Sequence, residues 1–171
     1  MRNALVGTAV LLSVCGCSGS PSPAPVESTI HIADGTAVGS VTLRQIEERI
    51  QVHVRVTGLP QGDHGMHLHA VALCEPPGFQ SAGPHLNPGA KQHGHLNPQG
   101  PHLGDLGNLT VGADGRADTT VDLVGTEAKA GLPGFLGAAG VALVIHADRD
   151  DERTDPSGNS GNRIACAAIK P

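Results

Sequence analysis

Ten of the 171 residues are histidine, and seven of these fall between His64 and His102. Imidazole is the commonest metal ligand among side chains and the usual proton carrier near neutral pH, so this density points first to metal binding. In the stretch GDHGMHLHA at 62–70, His67 and His69 alternate. Alternate residues of a β-strand face the same way, which puts two imidazoles within reach of one ion. An isolated HxH pair is more often merely solvated than ligating, and His64 need not join it. The next segment adds partners. His85, His93, His102 and Asp105 offer three nitrogens and one carboxylate oxygen, the donor types zinc takes in a closed tetrahedral site. His67, His69 and His146 with one further imidazole would suit copper(II), for which all-nitrogen tetragonal coordination is favourable. Spacing alone does not divide the histidines between these two sets.

The elements that must position these residues read as β-strands. In IQVHVRVT, Ile50, Val52, Val54 and Val56 fall on one face while Gln51, His53, Arg55 and Thr57 fall on the other, the pattern of a strand with one wet side. Similar runs occupy Ser28 to Ala33, Gly39 to Arg44, Gly65 to His69, Leu109 to Val111, Ala117 to Val121 and Val141 to His146. ADG at 33–35 and again at 113–115 marks two hairpin turns, because Asp and Gly tolerate the positive φ such turns need. No convincing helical period appears, and 24 Gly with 13 Pro argue for many turns. The expectation is an all-β sandwich or barrel whose core, with two Phe and no Tyr or Trp, is aliphatic. Two segments, 70–108 and 147–163, are too long for ordinary connections and read as functional loops or disorder. Ordering them costs entropy, which a metal or a disulfide can offset. Beyond Cys15 and Cys17 near the N-terminus the chain has two cysteines, Cys74 and Cys166, and in an exported chain they are expected to pair.

The first 16 residues, with Arg2, an apolar run from Ala4 to Val14 and small residues around cysteine, have the form of a secretory signal. Gly16 before Cys17 fits a bacterial lipobox better than Val14 before Cys15, so Cys17 is the expected lipidation site. The Ser/Pro-rich stretch that follows, to residue 28, reads as a tether, and residues 29–171 as one domain. The exported protein would then sit in the periplasm or at the cell surface, held to a membrane by lipid. Removing the leader takes the formal charge from −5 to −6. With no basic stripe to release counterions, nucleic acid is not an expected partner.

GDHGMHLHA, FQSAGPHLNP, HGHLNPQGPHLGDLGNL, VIHA and GNRIACAAI resemble, in order and spacing, the successive motifs of Cu/Zn superoxide dismutase, particularly its bacterial secreted branch. The resemblance runs from about Thr29 to Ile169. It implies an eight-stranded antiparallel Greek-key barrel with two long functional loops. It also implies one copper per subunit on His67, His69, His85 and His146, and one zinc on His85, His93, His102 and Asp105, with His85 bridging the two. His64 matches the family's non-ligand histidine that supports the strand carrying His146. Asp150 matches the carboxylate that hydrogen-bonds ligands of both metals, with Asp148 and Asp151 as competitors. Arg163 matches the arginine that attracts and orients the anion. His93 has the family's spacing, eight residues after His85 and nine before His102, which leaves His95 as an exposed extra. His31 and His53 are expected to face solvent.

The activity implied is disproportionation of superoxide to O2 and H2O2, with Arg163 and His85 as catalytic groups. One departure stands out. The loop ADRDDERTDPSGNSGN is shorter than the family usually has and carries five acids against two arginines before Arg163. If basic residues of this loop steer the anion elsewhere in the family, association should be slower here, with an unusual dependence on salt. The rival from another class is a non-catalytic exported copper and zinc binder of the same fold. A purely structural β-domain would leave the histidines unexplained. No strand has a surplus of exposed apolar residues, so monomer and homodimer are both open.

Overall fold

The computed structural model describes residues 22–171. The expected signal segment and the first part of the expected tether, Cys17 included, lie outside the described residues. Eight strands follow in order: β1 (Val26–Ile32), β2 (Ala37–Ile46), β3 (Arg49–Thr57), β4 (Gly62–His69), β5 (Asp105–Val111), β6 (Arg116–Leu123), β7 (Val141–His146) and β8 (Arg163–Ile169). They form one antiparallel sheet in the order β5-β4-β7-β8-β1-β2-β3-β6, rolled into a nearly closed Greek-key barrel as the family resemblance implies. Both ADG sequences make the expected hairpin turns, between β1 and β2 and between β5 and β6.

Several strands run longer than the sequence reading gives them, and the connection before β7 is helical. β1 begins at Val26, inside the stretch read as tether, because Val26 and Glu27 pair with Leu43 and Thr42 of β2. β5 begins at Asp105 rather than Leu109, since Asp105 pairs with His67 across a bulge. Two short helices, α1 (Thr126–Lys129) and α2 (Gly131–Leu136), occupy the connection before β7. A helix of one or two turns is too short to show a period, yet Leu132 and Leu136, four apart, are both buried against the barrel.

The core explains how the site is held. Ile50, Val52, Val54 and Val56 point inward as the alternation predicts, with Met66, Leu68, Leu143 and Ile145 opposite. β4 and β7 are buried on both faces. Their inward residues fill the barrel, and their outward residues lie under the long loops. Ala142, Val144 and Cys166 on the outer face pack against Phe79 and Ala82 of the first loop in a small second cluster. The Cys74–Cys166 disulfide, joining positions 92 residues apart, pins that loop to β8. In the chain-entropy account such a crosslink contributes about 4–5 kcal/mol by restricting the unfolded chain. Among the described residues no helix is long and apolar enough to cross a membrane.

Candidate metal centre

Backbone pairing brings the expected residues together two at a time. His67 lies opposite Asp105, His69 bridges to His85, and His146 lies opposite Arg163. A bulge between Gly65 and His67 and another between Ile145 and His146 re-aim these side chains at the sheet edge of the loops. Nitrogens of His67, His69, His85 and His146 gather within 4.8 Å of one another, all four residues buried.

The hydrogen bonds of these rings decide which nitrogen is free. His67 Nε2 donates to Asp150 Oδ2 at 2.7 Å, His69 Nδ1 to the Gly83 carbonyl at 2.8 Å and His146 Nδ1 to the Gly161 carbonyl at 3.1 Å. A neutral imidazole has one N–H, so each opposite nitrogen is left with a bare lone pair. Those atoms, His67 Nδ1, His69 Nε2 and His146 Nε2, together with His85 Nε2, are buried and without partners. Burying an unpaired acceptor is costly, and four of them converging is the arrangement a soft or borderline cation resolves. Burial also holds these rings neutral. It pushes His67 down to about 3, His69 to about 2 and His146 to about 4, and lowers His85 as well. No proton competes for the four lone pairs at neutral pH.

The other side of His85 is built differently. His85 Nδ1, His93 Nδ1 and His102 Nδ1 converge on one oxygen, Asp105 Oδ1, at 2.9, 3.0 and 3.2 Å, and His102 Nδ1 stands 3.3 Å from His85 Nδ1. Donors about 2.0–2.1 Å from a central ion at tetrahedral corners stand about 3.3 Å apart, so these four atoms fit zinc with little movement. Asp105 Oδ2 is occupied by the N–H groups of Gly94 and His102, which leaves Oδ1 to the rings. His67 also comes within 4.8 Å of His85, His93 and Asp105. Its Nε2 is taken by Asp150 and its Nδ1 faces the first set, so it belongs there.

Asp150 joins the two sets. Its Oδ2 accepts from His67 and its Oδ1 from His93 Nε2 at 3.0 Å. Asp148 and Asp151 do not reach the rings. Asp148 pairs by its backbone with Gly65 and Ser160, while the Asp151 carboxylate caps its own loop through Thr154 and Asn159. Burial opposes charge on His93, Asp105 and Asp150, but their mutual hydrogen bonds outweigh it. His93 is raised to about 9, and both carboxyls fall well below the usual range. Sequence gave no sign of Gly158, at φ +64°, where an added Cβ would meet Asp150 Oδ1 and come 2.8 Å from His93 Nε2.

Arg163 stands at the mouth. Its Nη1 and Nη2 donate to the carbonyls of Phe79 and Gly83, both at 2.8 Å. It borders a cavity of about 480 Å³ together with His69, His85, His146, Lys91 and Asp155. His64 lies behind the site, its ring nitrogens 2.8 and 2.9 Å from the carbonyls of His146 and Pro60. His95 is exposed and stands outside both sets, 3.7 Å from Glu152. His31 is exposed, whereas His53 is half-buried and pairs with Asp118 at 2.7 Å.

Residues 37–169 match the sequence model of a family described as copper/zinc superoxide dismutase. The superoxide dismutase-like protein YojM of Bacillus subtilis is 37% identical over 177 residues, covering 92% of this chain and 90% of its own. A superoxide dismutase [Cu-Zn] of Caulobacter vibrioides is 36% identical over 146 residues, 84% of each chain. The crystal structure of a SOD-like protein from Bacillus subtilis superposes with a TM-score of 0.76 at 36% identity, over 84% of this chain and 97% of that one.

Proposed function

Because the chain belongs to the copper/zinc superoxide dismutase family, we propose that it is an exported superoxide dismutase, converting two superoxide anions and two protons to O2 and H2O2. One copper would be held by His67 Nδ1 and by Nε2 of His69, His85 and His146, and one zinc by Nδ1 of His85, His93 and His102 with Asp105 Oδ1. The reading is carried by the four buried nitrogens that have no partner. Copper supplies one-electron chemistry in both directions and zinc a fixed charge without redox change.

The chain's own residues do the rest. Arg163, fixed by two carbonyls that leave its charge uncompensated, draws the anion to the face of His69, His85 and His146. His85 is the one ring with its two nitrogens in the two different sets. Its Nε2 can hold a proton between the two encounters while Nδ1 stays in the Asp105 group, so the ring does not drift. Asp150 orients a ring of each set and ties their geometry together. Of the five loop acids, Asp155 borders the cavity, and its Oδ1 accepts from the His93 N–H at 2.7 Å. Slower association than a family member with a basic loop remains the expectation, with Asp155 as its main cause.

The disulfide belongs to oxidising compartments outside the cytosol. Within such a compartment we place the mature domain on a lipid at Cys17, after removal of residues 1–16, with the Ser/Pro stretch as tether. A second reading, a metal-binding protein without turnover, draws on the relative named superoxide dismutase-like. Loading the full chain with copper and zinc and following the decay of a superoxide pulse separates them. Rapid removal that collapses in His146→Ala supports the enzyme; tight metal binding with no removal supports the binder.

A further inference from the structure

The two metal sets face different openings. The cavity that contains Arg163 is bordered by His85 but not by Asp105. A second cavity, of about 380 Å³, is bordered by Asp105 but not by His85, and His102 is common to both. The second cavity lies where the barrel fails to close. β5 and β6 are the two edges of the sheet, joined by their hairpin and sharing no ladder, and the cavity sits at the far end of that seam, between Asp105 and Leu123. The charges lining the openings also differ. The anion cavity has two cations, Lys91 and Arg163, against one acid, Asp155. The seam cavity has one cation, Lys91, against three acids, Asp105, Asp122 and Glu127, and adds His95.

We propose that zinc reaches its ligands through this seam cavity, by way of Glu127 and His95, and not through the opening that admits the anion. The proposal rests on the zinc assignment made above. A hydrated dication is drawn by carboxylates and repelled by Arg163, so the same electrostatics that favour superoxide in one cavity disfavour zinc there. Asp122 is partly committed to Arg49 and Gln51, whereas Glu127 has no ion pair among the described residues. His95 is 47% exposed, with Glu152 near its Nδ1 and Nε2 free. Asp105, buried at the inner wall, is the next carboxylate an inbound ion meets. Among the described residues no three donors in the seam cavity outside the centre come close enough to hold an ion, which suits a passage and not a store. This gives His95, left over from the ligand set, a task.

The test follows zinc uptake by the metal-free, disulfide-bonded full chain, using Zn2+ buffered by a chromophoric chelator and, separately, Co2+ read by its visible absorption. Removing the waypoints in Glu127→Gln/His95→Gln is expected to slow uptake about tenfold while leaving equilibrium affinity within about twofold, since neither is a ligand. Val124→Trp, at a seam position 70% exposed and so tolerant of bulk, should slow it by obstruction. Arg163→Gln should leave the rate unchanged. Unchanged uptake in the first two variants, or faster uptake in Arg163→Gln, puts the route through the anion cavity and overturns the proposal. So does a loss of affinity as large as the loss of rate, which would make His95 or Glu127 a ligand. If the intact chain shows no Co2+ absorption that His102→Ala abolishes, the zinc assignment itself fails, whatever the rates.

Discussion

The two halves of the centre are made by different parts of the fold. His67, His69 and His146 stand on β4 and β7, which the barrel core fixes from behind, and their second nitrogens are tied down by Asp150 and two loop carbonyls. With His85 Nε2, their remaining nitrogens make four buried atoms without partners. His85, His93 and His102 come from a loop, and their Nδ1 atoms meet on the Asp105 oxygen. In the strand-borne set each ring has its own acceptor, whereas in the loop-borne set three rings share one carboxylate oxygen. The contrast accounts for the opposite shifts, His67, His69 and His146 pushed down by burial and His93 raised to about 9 by its carboxylates.

The most severe way to break this contrast is to remove the ring that belongs to both halves. His85→Ala should lower superoxide removal and zinc affinity together by more than about 100-fold, beyond what outer partners contribute. Retention of full zinc affinity by equilibrium dialysis would show that the halves are independent. Next is Gly158→Ala, whose methyl group would push the Asp150 carboxylate away from His67 and His93. A loss of about 10–100-fold in zinc affinity is expected, the range for outer-shell partners. The copper spectrum should change as well, because His67 loses its orienting acceptor. An unchanged spectrum would mean that Asp150 serves the loop set alone.

Smaller effects sharpen the picture at the mouth. Lys91→Gln and Asp155→Asn should move the association rate constant in opposite directions, down and up, each by about two- to threefold at low salt and less as salt is added. Equal rates for both would leave Arg163 as the sole source of steering. Smallest is the acid response of the metal-free chain. His67, His69 and His146 stay neutral in the fold down to about 3, 2 and 4 but protonate near 6.5 when unfolded. Stability is therefore lost as pH falls from 6.5 toward 4. His93 acts the other way: its folded value of about 9 gives stability that is full below 6.5 and lost as pH rises through 9. A melting temperature of the metal-free chain that is highest near 6.5 is expected, and a flat profile would contradict it.

Much of this was legible in the residues. The alternation of HLH and of IQVHVRVT carried the strands, because a period of two survives any detail of packing. The order and spacing of the motifs carried the family, and with it the eightfold strand count. What was not legible depended on the path of loops. The resemblance singled out Asp150, and the turn through Gly158 is what separates it in space from its competitors Asp148 and Asp151. The start of β1 at Val26 was hidden by the Ser/Pro composition just before it, and α1 and α2 by their brevity. The seam cavity had no sequence signal, since it arises where two edge strands fail to pair.

The Gly83 carbonyl accepts from both His69 and Arg163. A single oxygen is thus the common datum for the His69 ring and the Arg163 guanidinium. When the first loop shifts under thermal motion, both references shift with it, and the error is shared instead of accumulated. The alignment that matters is relative, and this chain measures it from one point.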